Sequence, residues 1–430
     1  MLLVYTQKIT PRITYAFRHI CTRILGLETQ FTSTIEAFVA HSGAKLSYGK
    51  QPLSSEMFIH SQGLLTQQGF ESTDIVIKVW EDTKCFFSSI SNSAVPFDIF
   101  SASFYLMSRY EEYLPHVKDT IGRYPYTQSL AHREGFLKQP VVDMWAYKFK
   151  VILLDSFPDL VFPIKKMTIH NVIDASQPFA FVQRGFLRAV MGFGSDLWKM
   201  KMRSIITRGQ VLMTLRKDPY NTFNWIINTA KRSVSKHTFF FRLGDSSNYK
   251  EGINTKRMKF KLLVKFISDY KEVGLIFSSD TLVDYEKVKK EKERMEDITN
   301  RILRSSMNAH YIVNLPAIYR NLVELEVEED FTMVYENKVG FRAGTCTPFL
   351  FYDLDSETKT PLIIHPLAFT TSAFEKKYDS EINKTCNKLY DAVDQVNGTF
   401  SVVFSNRDFT SSEKNKTWRS IFSEKLQIHG

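Results

Sequence analysis

From about Pro158 to the C-terminus the sequence keeps repeating one pattern, a short apolar run followed by a helical stretch. Strand candidates are Met167–Ile173, Thr238–Leu243, Val273–Phe277, Ala309–Val313, Val339–Arg342, Leu362–Ile364 and Phe400–Phe404. Helical patterns lie between several of them, at Thr222–Ala230, Lys256–Tyr270, Leu282–Leu303, Pro316–Leu325 and Ser380–Val396. Parallel neighbours need a crossover, which a helix supplies, so such alternation builds a parallel sheet. Six or seven units in about 260 residues favour a barrel-like closure, with a site at the strand ends.

The first 160 residues read differently. A strand candidate, Met1–Tyr5, is followed by a helical pattern over Ile13–Leu25. Short alternating segments come next, around Gln30-Phe31, Lys45–Tyr48, Met57–His60, Ile75–Trp80 and Cys85–Ser88. They predict a small mixed sheet. Helical patterns Asp98–Leu114 and Val141–Phe157 flank a loop rich in Gly, Arg and Tyr, Gly122–Tyr126. The expected organisation is a mixed α/β domain over residues 1–160 and a barrel domain over 161–430. A chain of 430 residues with 43% hydrophobic side chains has enough apolar material for two cores.

Composition narrows the function classes. The chain has 56 basic and 46 acidic residues, a net charge of +10, which favours an anionic partner. The charges are dispersed, and the densest run, Lys287–Asp297, mixes both signs as a solvated helix face does. Neither zinc-finger spacing nor an aromatic–basic repeat is present, so nucleic acid is not the expected partner. Cys21, Cys85, Cys346 and Cys386 lie far apart and form no CxxC pair, which suits reduced thiols and a cytoplasmic setting. No export signal and no apolar run long enough to span a bilayer are found, so no transmembrane segment is expected. GxSxG, P-loop and HExxH motifs are absent.

The segment Asn171–Phe181 carries the most specific information, because Asp174 and Ser176 stand where a strand ends at a site. It resembles the first motif of the NodB-type polysaccharide deacetylases, an Asp-x-Asp pair in which one carboxylate is the general base and the other holds a divalent metal. Further stretches resemble polysaccharide deacetylase-like proteins of the Bacteroidetes type, in the same order along the chain. They are Pro96–Phe100 with Ser108–Pro115, Gly185–Arg188, Lys217–Phe223, Gly340–Gly344 and Trp418-Arg419. The resemblance implies an N-terminal domain of unassigned function followed by a NodB-like distorted (β/α) barrel.

It also implies metal-assisted hydrolysis by one Asp and two His ligands, with an acid for the leaving amine. Four positions depart from that pattern. Ser176 replaces a carboxylate, Ile276 a metal-binding His, Asn308 a base-orienting Arg and Ser405 an acid His. An aliphatic group such as Ile276 neither coordinates a metal nor moves a proton. The expectation is therefore a catalytically degenerate homologue that binds a glycan or an anionic partner, with no cofactor. Two alternatives stay open: an active carbohydrate deacetylase with a rearranged zinc site from Asp174, His310 and His365, and an inert scaffold.

Asp174 is the candidate catalytic residue, and its alternative role is a cap or a Lys partner. Gln177, His310, Arg342, His365 and Asn406 are the candidate substrate contacts. Arg342 either grips a ligand with its planar fork or pairs with a carboxylate such as Asp353. For His310 and His365 the competing role is a buried, hydrogen-bonded imidazole. The adjacent Glu111 and Glu112 read as a solvated pair.

Overall fold

A computed structural model describes residues 1–182, 202–243 and 255–427, together with residues 194, 198 and 200. The Gly185–Arg188 stretch lies outside the described residues. Four strands open the chain: β1 (Leu2–Tyr5), β2 (Thr29–Thr32), β3 (Lys45–Gly49) and β4 (Met57–His60). They form a sheet in the order β2-β1-β3-β4, and every pairing is parallel. β1 is buried along its whole length, as befits a strand covered on both faces. The expected mixed sheet is thus a parallel one, with a separate antiparallel pair, β5 (Lys78–Trp80) and β6 (Thr83–Cys85).

Nine strands make the larger sheet: β7 (Thr168–Asp174), β8 (Lys236–Arg242), β9 (Glu272–Phe277), β10 (Ser305–Asn308), β11 (Glu329–Asp330), β12 (Phe349–Asp353), β13 (Thr358–Ile364), β14 (Phe369–Thr370) and β15 (Thr399–Ser405). Their order is β12-β13-β11-β10-β9-β8-β7-β15-β14, parallel throughout except between β12 and β13. Two expected strands are corrected. Ala309–Val313 follows the true strand β10 and begins with a turn, and Val339–Arg342 lies in a turn with Gly340 at φ 132°.

This sheet is strongly curled. In a flat sheet β7 and β11 would lie about 19 Å apart, four strand spacings. Yet the ring of His170 on β7 lies 5.0 Å from that of Phe331, the residue after β11, and 5.7 Å from that of His365. The inward residues Val172, Phe240, Ile276, Met307, Phe331, Leu367 and Val403 meet in one buried cluster. Closure by strand pairing is not reached, since β12 and β14 are edges of the ladder. The chain between β13 and β14 spans the gap instead. His365 N–H donates to Asp330 O and Leu367 N–H to Met333 O, while Ala368 N–H donates to Ser401 O. Pro366 has no N–H to continue a ladder. The molecule is mixed α/β with a large curled central sheet, and the pairing of its strands does not close the expected distorted barrel.

The two sheets share one continuous apolar core that runs from Leu2 to Leu426. Polar ties cross the same seam. Arg109 sits at φ 55° and splits the expected Asp98–Leu114 helix into Ile99–Met107 and Tyr110–Tyr113. That kink folds its guanidinium back onto Glu111 and Glu112, both at 2.8 Å. Glu112 also holds Arg342 through two bonds of 2.9 and 2.8 Å, and Arg109 donates to the Arg342 carbonyl. Both carboxylates are buried, not solvated as the sequence suggested. Arg342, 2% exposed, is spent on this pairing and reaches no cleft. Its other expected partner, Asp353, pairs with Arg320.

Burial alone would raise the Glu112 pKa, but the Arg342 and Arg109 guanidiniums more than offset it and hold the carboxyl below its ordinary value. The stabilisation is therefore complete above the unfolded value of about 4.5 and is lost as pH falls through the lower folded value. Glu112→Gln leaves the Arg342 guanidinium buried without a counter-charge and Arg109 with Glu111 alone. It should cost about 3–5 kcal/mol at neutral pH. Denaturant unfolding checks the loss, and the gap to the wild type should narrow as the pH falls below the ordinary carboxylate range.

Candidate functional site

Because β7, β14 and β15 run parallel, their C-terminal ends gather on one side, where sites form in such sheets. A cleft of about 570 Å³ opens there. Asp174, the last residue of β7, lines it, beside Ser405, the last residue of the neighbouring β15. Asp174 Oδ1 accepts the Ser176 N–H at 2.8 Å, a local turn that leaves Oδ2 for the cleft. Ser176 itself serves through its backbone.

After β15 the chain turns at once. Ser405 and Asp408 form a reciprocal capping box, with the Ser405 N–H donating to Asp408 Oδ2 at 2.7 Å. The turn brings the Asp408 carboxyl back over the strand ends, where it also accepts the Thr371 hydroxyl at 2.6 Å. Burial pushes its pKa up, its hydrogen bonds and Arg407 pull it down, and the Asp174 charge adds to the rise.

On the opposite side, β10 ends in a turn in which both His310 and Tyr311 adopt positive φ, 56° and 54°. This conformation is uncommon for such residues. Tyr311 lines the cleft and His310 is exposed outside it. Arg123, from the Gly122–Tyr126 loop, locks the turn by donating to the His310 carbonyl at 2.8 Å and pairing with Glu336 at 2.5 Å. Glu336 forms part of the cleft rim. Phe374 and Trp418 supply an apolar wall, packed edge to face with one another and 5% and 7% exposed.

The remaining sequence candidates do not meet here. Asn406 is fully buried and donates to the carbonyls of Gln177 and Tyr220, at 3.1 and 2.8 Å. It clasps two loops together. Gln177 accepts a long contact of 3.5 Å from Arg407 and lies outside the residues that line the cleft. His365 stacks flat on Phe331, with ring centroids 4.2 Å apart, and approaches Glu329 at 3.5 Å. It belongs with His170 at the other end of the interior. Four residues of extended strand, about 13 Å, separate His170 from Asp174. The Asp174, His310 and His365 set proposed for zinc is thus not assembled. Among the described residues no group of three His, Cys, Asp or Glu side chains is placed to hold a metal ion.

The other departures from the deacetylase pattern are equally plain in place. Ile276 packs in the apolar cluster, and Asn308 spends its amide on the Ile312 carbonyl at 2.9 Å. All four cysteines are buried free thiols, and burial raises Cys21 and Cys386 to about 12, which argues against nucleophilic roles.

Comparisons with known proteins give three findings. Residues 2–158 match the model of DUF7033, a family of unknown function. No curated protein matches the chain. Among solved structures, a Mycobacterium smegmatis protein assigned as a polysaccharide deacetylase is 8% identical with a TM-score of 0.39, covering 62% of this chain and 87% of that one. A CE4 family pseudoenzyme from Bacillus anthracis is 12% identical with a TM-score of 0.29, covering 61% of this chain and 63% of that one. A mutant of that pseudoenzyme with restored enzymatic activity gives 13% and 0.29. None of these likenesses bears on the chemistry of the cleft.

Asp408 furnishes a test of the site's electrostatics. Its folded pKa is raised, so the native state holds its proton longer than the unfolded chain does. Stability from this group therefore declines as pH rises from the ordinary carboxylate value toward the folded one. Asp408→Asn removes that penalty. The melting temperature of the variant, measured relative to the wild type, should rise as the pH climbs above about 4, the ordinary carboxylate value. A difference that stays flat would mean the carboxyl is not strained.

Proposed function

We propose that this chain is a divergent polysaccharide deacetylase-like protein that has lost the metal-dependent reaction and binds a glycan in the cleft at the ends of β7, β14 and β15. The observation that carries the reading is the make-up of that cleft. It keeps Asp174 on its strand end and surrounds it with carboxylates and hydroxyls, while no imidazole is among the described residues lining it. The sequence resemblance supplies the ancestry, and Ser176, Ile276, Asn308 and Ser405 mark where the chemistry departs from it.

Hydrolysis by the family's route needs a polarising metal and an acid for the leaving group. His365 lies an apolar layer away, and the position of the expected acid is a serine whose hydroxyl accepts from Arg407. Binding needs less. An open cleft with several hydroxyl and carboxylate groups matches the many hydroxyls of a sugar, and multiple weak hydrogen bonds then set orientation. The cleft is open, which counts against a purely inert scaffold.

Calorimetric titration with zinc, after stripping the protein with chelator, tests the metal half of the reading. No stoichiometric site is expected. Micromolar or tighter binding that disappears in Asp174→Ala would contradict it and return attention to hydrolysis. For the binding half, an array of acetylated and deacetylated oligosaccharides should retain the protein, and Asp174→Ala should lower retention by about tenfold, the worth of one charge-assisted bond.

A further inference from the structure

The protein carries a net charge of +10, yet among the described residues lining its cleft five carboxylates meet three cations. Among the described residues Glu336 is neutralised by Arg123 and Lys377 by Glu381, but neither Asp174 nor Asp408 is in an ion pair. Arg407 and Lys414 are the other cations lining the cleft. Both are exposed, and Arg407 is already bonded to the Ser405 hydroxyl at 3.1 Å. Neither carboxylate is in an ion pair, and the exposed Arg407 offsets only part of the charge at Asp408, so the cleft favours a cationic ligand.

A second observation points the same way. Tyr311 is 8% exposed and lines the cleft, and no described group bonds its hydroxyl. The ring is buried while its hydroxyl opens onto the cleft, where a ligand or water can pair with it. Burial and the charges of Asp174, Glu336 and Asp408 push its phenol well above the usual range, so it stays protonated and donates. A phenol held as a donor suits a sugar oxygen and suits a metal ion poorly.

We propose that the cleft takes an amino sugar in its free-amine form, with the ammonium seated between Asp174 and Asp408 and the Tyr311 hydroxyl donating to a sugar oxygen. This inference rests on the glycan-binding reading above and names the sugar class. A protonated amine completes both unpaired carboxylates, whereas an acetylated one leaves them facing a neutral amide. The ligand class is the deacetylated product type of polymer, read without being made.

The experiment is calorimetric binding to the full chain at mildly acidic pH, with a glucosamine tetramer, an N-acetylglucosamine tetramer and a tetralysine peptide. The glucosamine tetramer should bind tightest. Asp174→Asn should weaken it by about tenfold and Tyr311→Phe by several-fold, both with unchanged melting curves. Equal or tighter binding of the acetylated tetramer would overturn the inference and leave the glycan reading standing. Tetralysine binding as well as the amino sugar would overturn it too, reducing the site to charge alone. Failure of both sugars to bind would sink the inference and the reading together. Tyr311→Phe removes one hydroxyl from an otherwise packed ring, so its result stands even if Asp174→Asn alters the local turn.

Discussion

An apolar layer one side chain thick sets the terms for everything inside the curled sheet. Val172, Phe240, Ile276, Met307, Phe331, Leu367 and Val403 meet across it because alternate residues on each strand must face inward. Above the layer lie Asp174 and Ser405, and below it His170 and His365. Such a layer excludes water and shuts the two ends off from each other. One end becomes an open cleft, and the other a packed cluster of rings. No rearrangement of rotamers brings His170 or His365 from the lower end to Asp174.

The same curl explains how the two parts of the chain become one body. The Gly340–Gly344 turn presses on the first part so closely that a side chain at Gly340 would meet the Leu137 carbonyl and one at Gly344 would meet Leu106. Both glycines have positive φ, where a Cβ is strained as well as crowded. Arg342, between them, is delivered to Glu112. In this protein the Gly-Phe-Arg-Ala-Gly sequence is a docking device. Its fork binds a carboxylate, as a free Arg at a site would, but the carboxylate is the protein's own.

Much of the fold was legible because strand and helix periods are strong signals over long segments. β7, β8, β9 and β15 fall within a few residues of their expected places. β11 and β14, two residues each, were too short for any pattern to mark. The site was half legible. Asp174 stood out because its neighbours spell a motif. Tyr311 and Asp408 were missed, although their neighbours His310 and Asn406 were named. Backbone geometry made the difference, through two positive φ angles at 310–311 and a tight turn at 405–408. Only the second left a trace in the sequence, since Ser405-x-x-Asp408 is a capping pattern that folds the carboxylate back. Glu336 and Arg123 lie more than 200 positions apart, and only the folded chain pairs them.

The most direct test of the central claim is a crystal structure of the full chain grown with zinc and a glucosamine oligomer. The account predicts sugar density over Asp174, Asp408 and Tyr311, and no zinc anomalous peak within bonding distance of Asp174. A zinc ion held by Asp174 together with an imidazole would contradict it, and would mean that the cleft still assembles a catalytic metal.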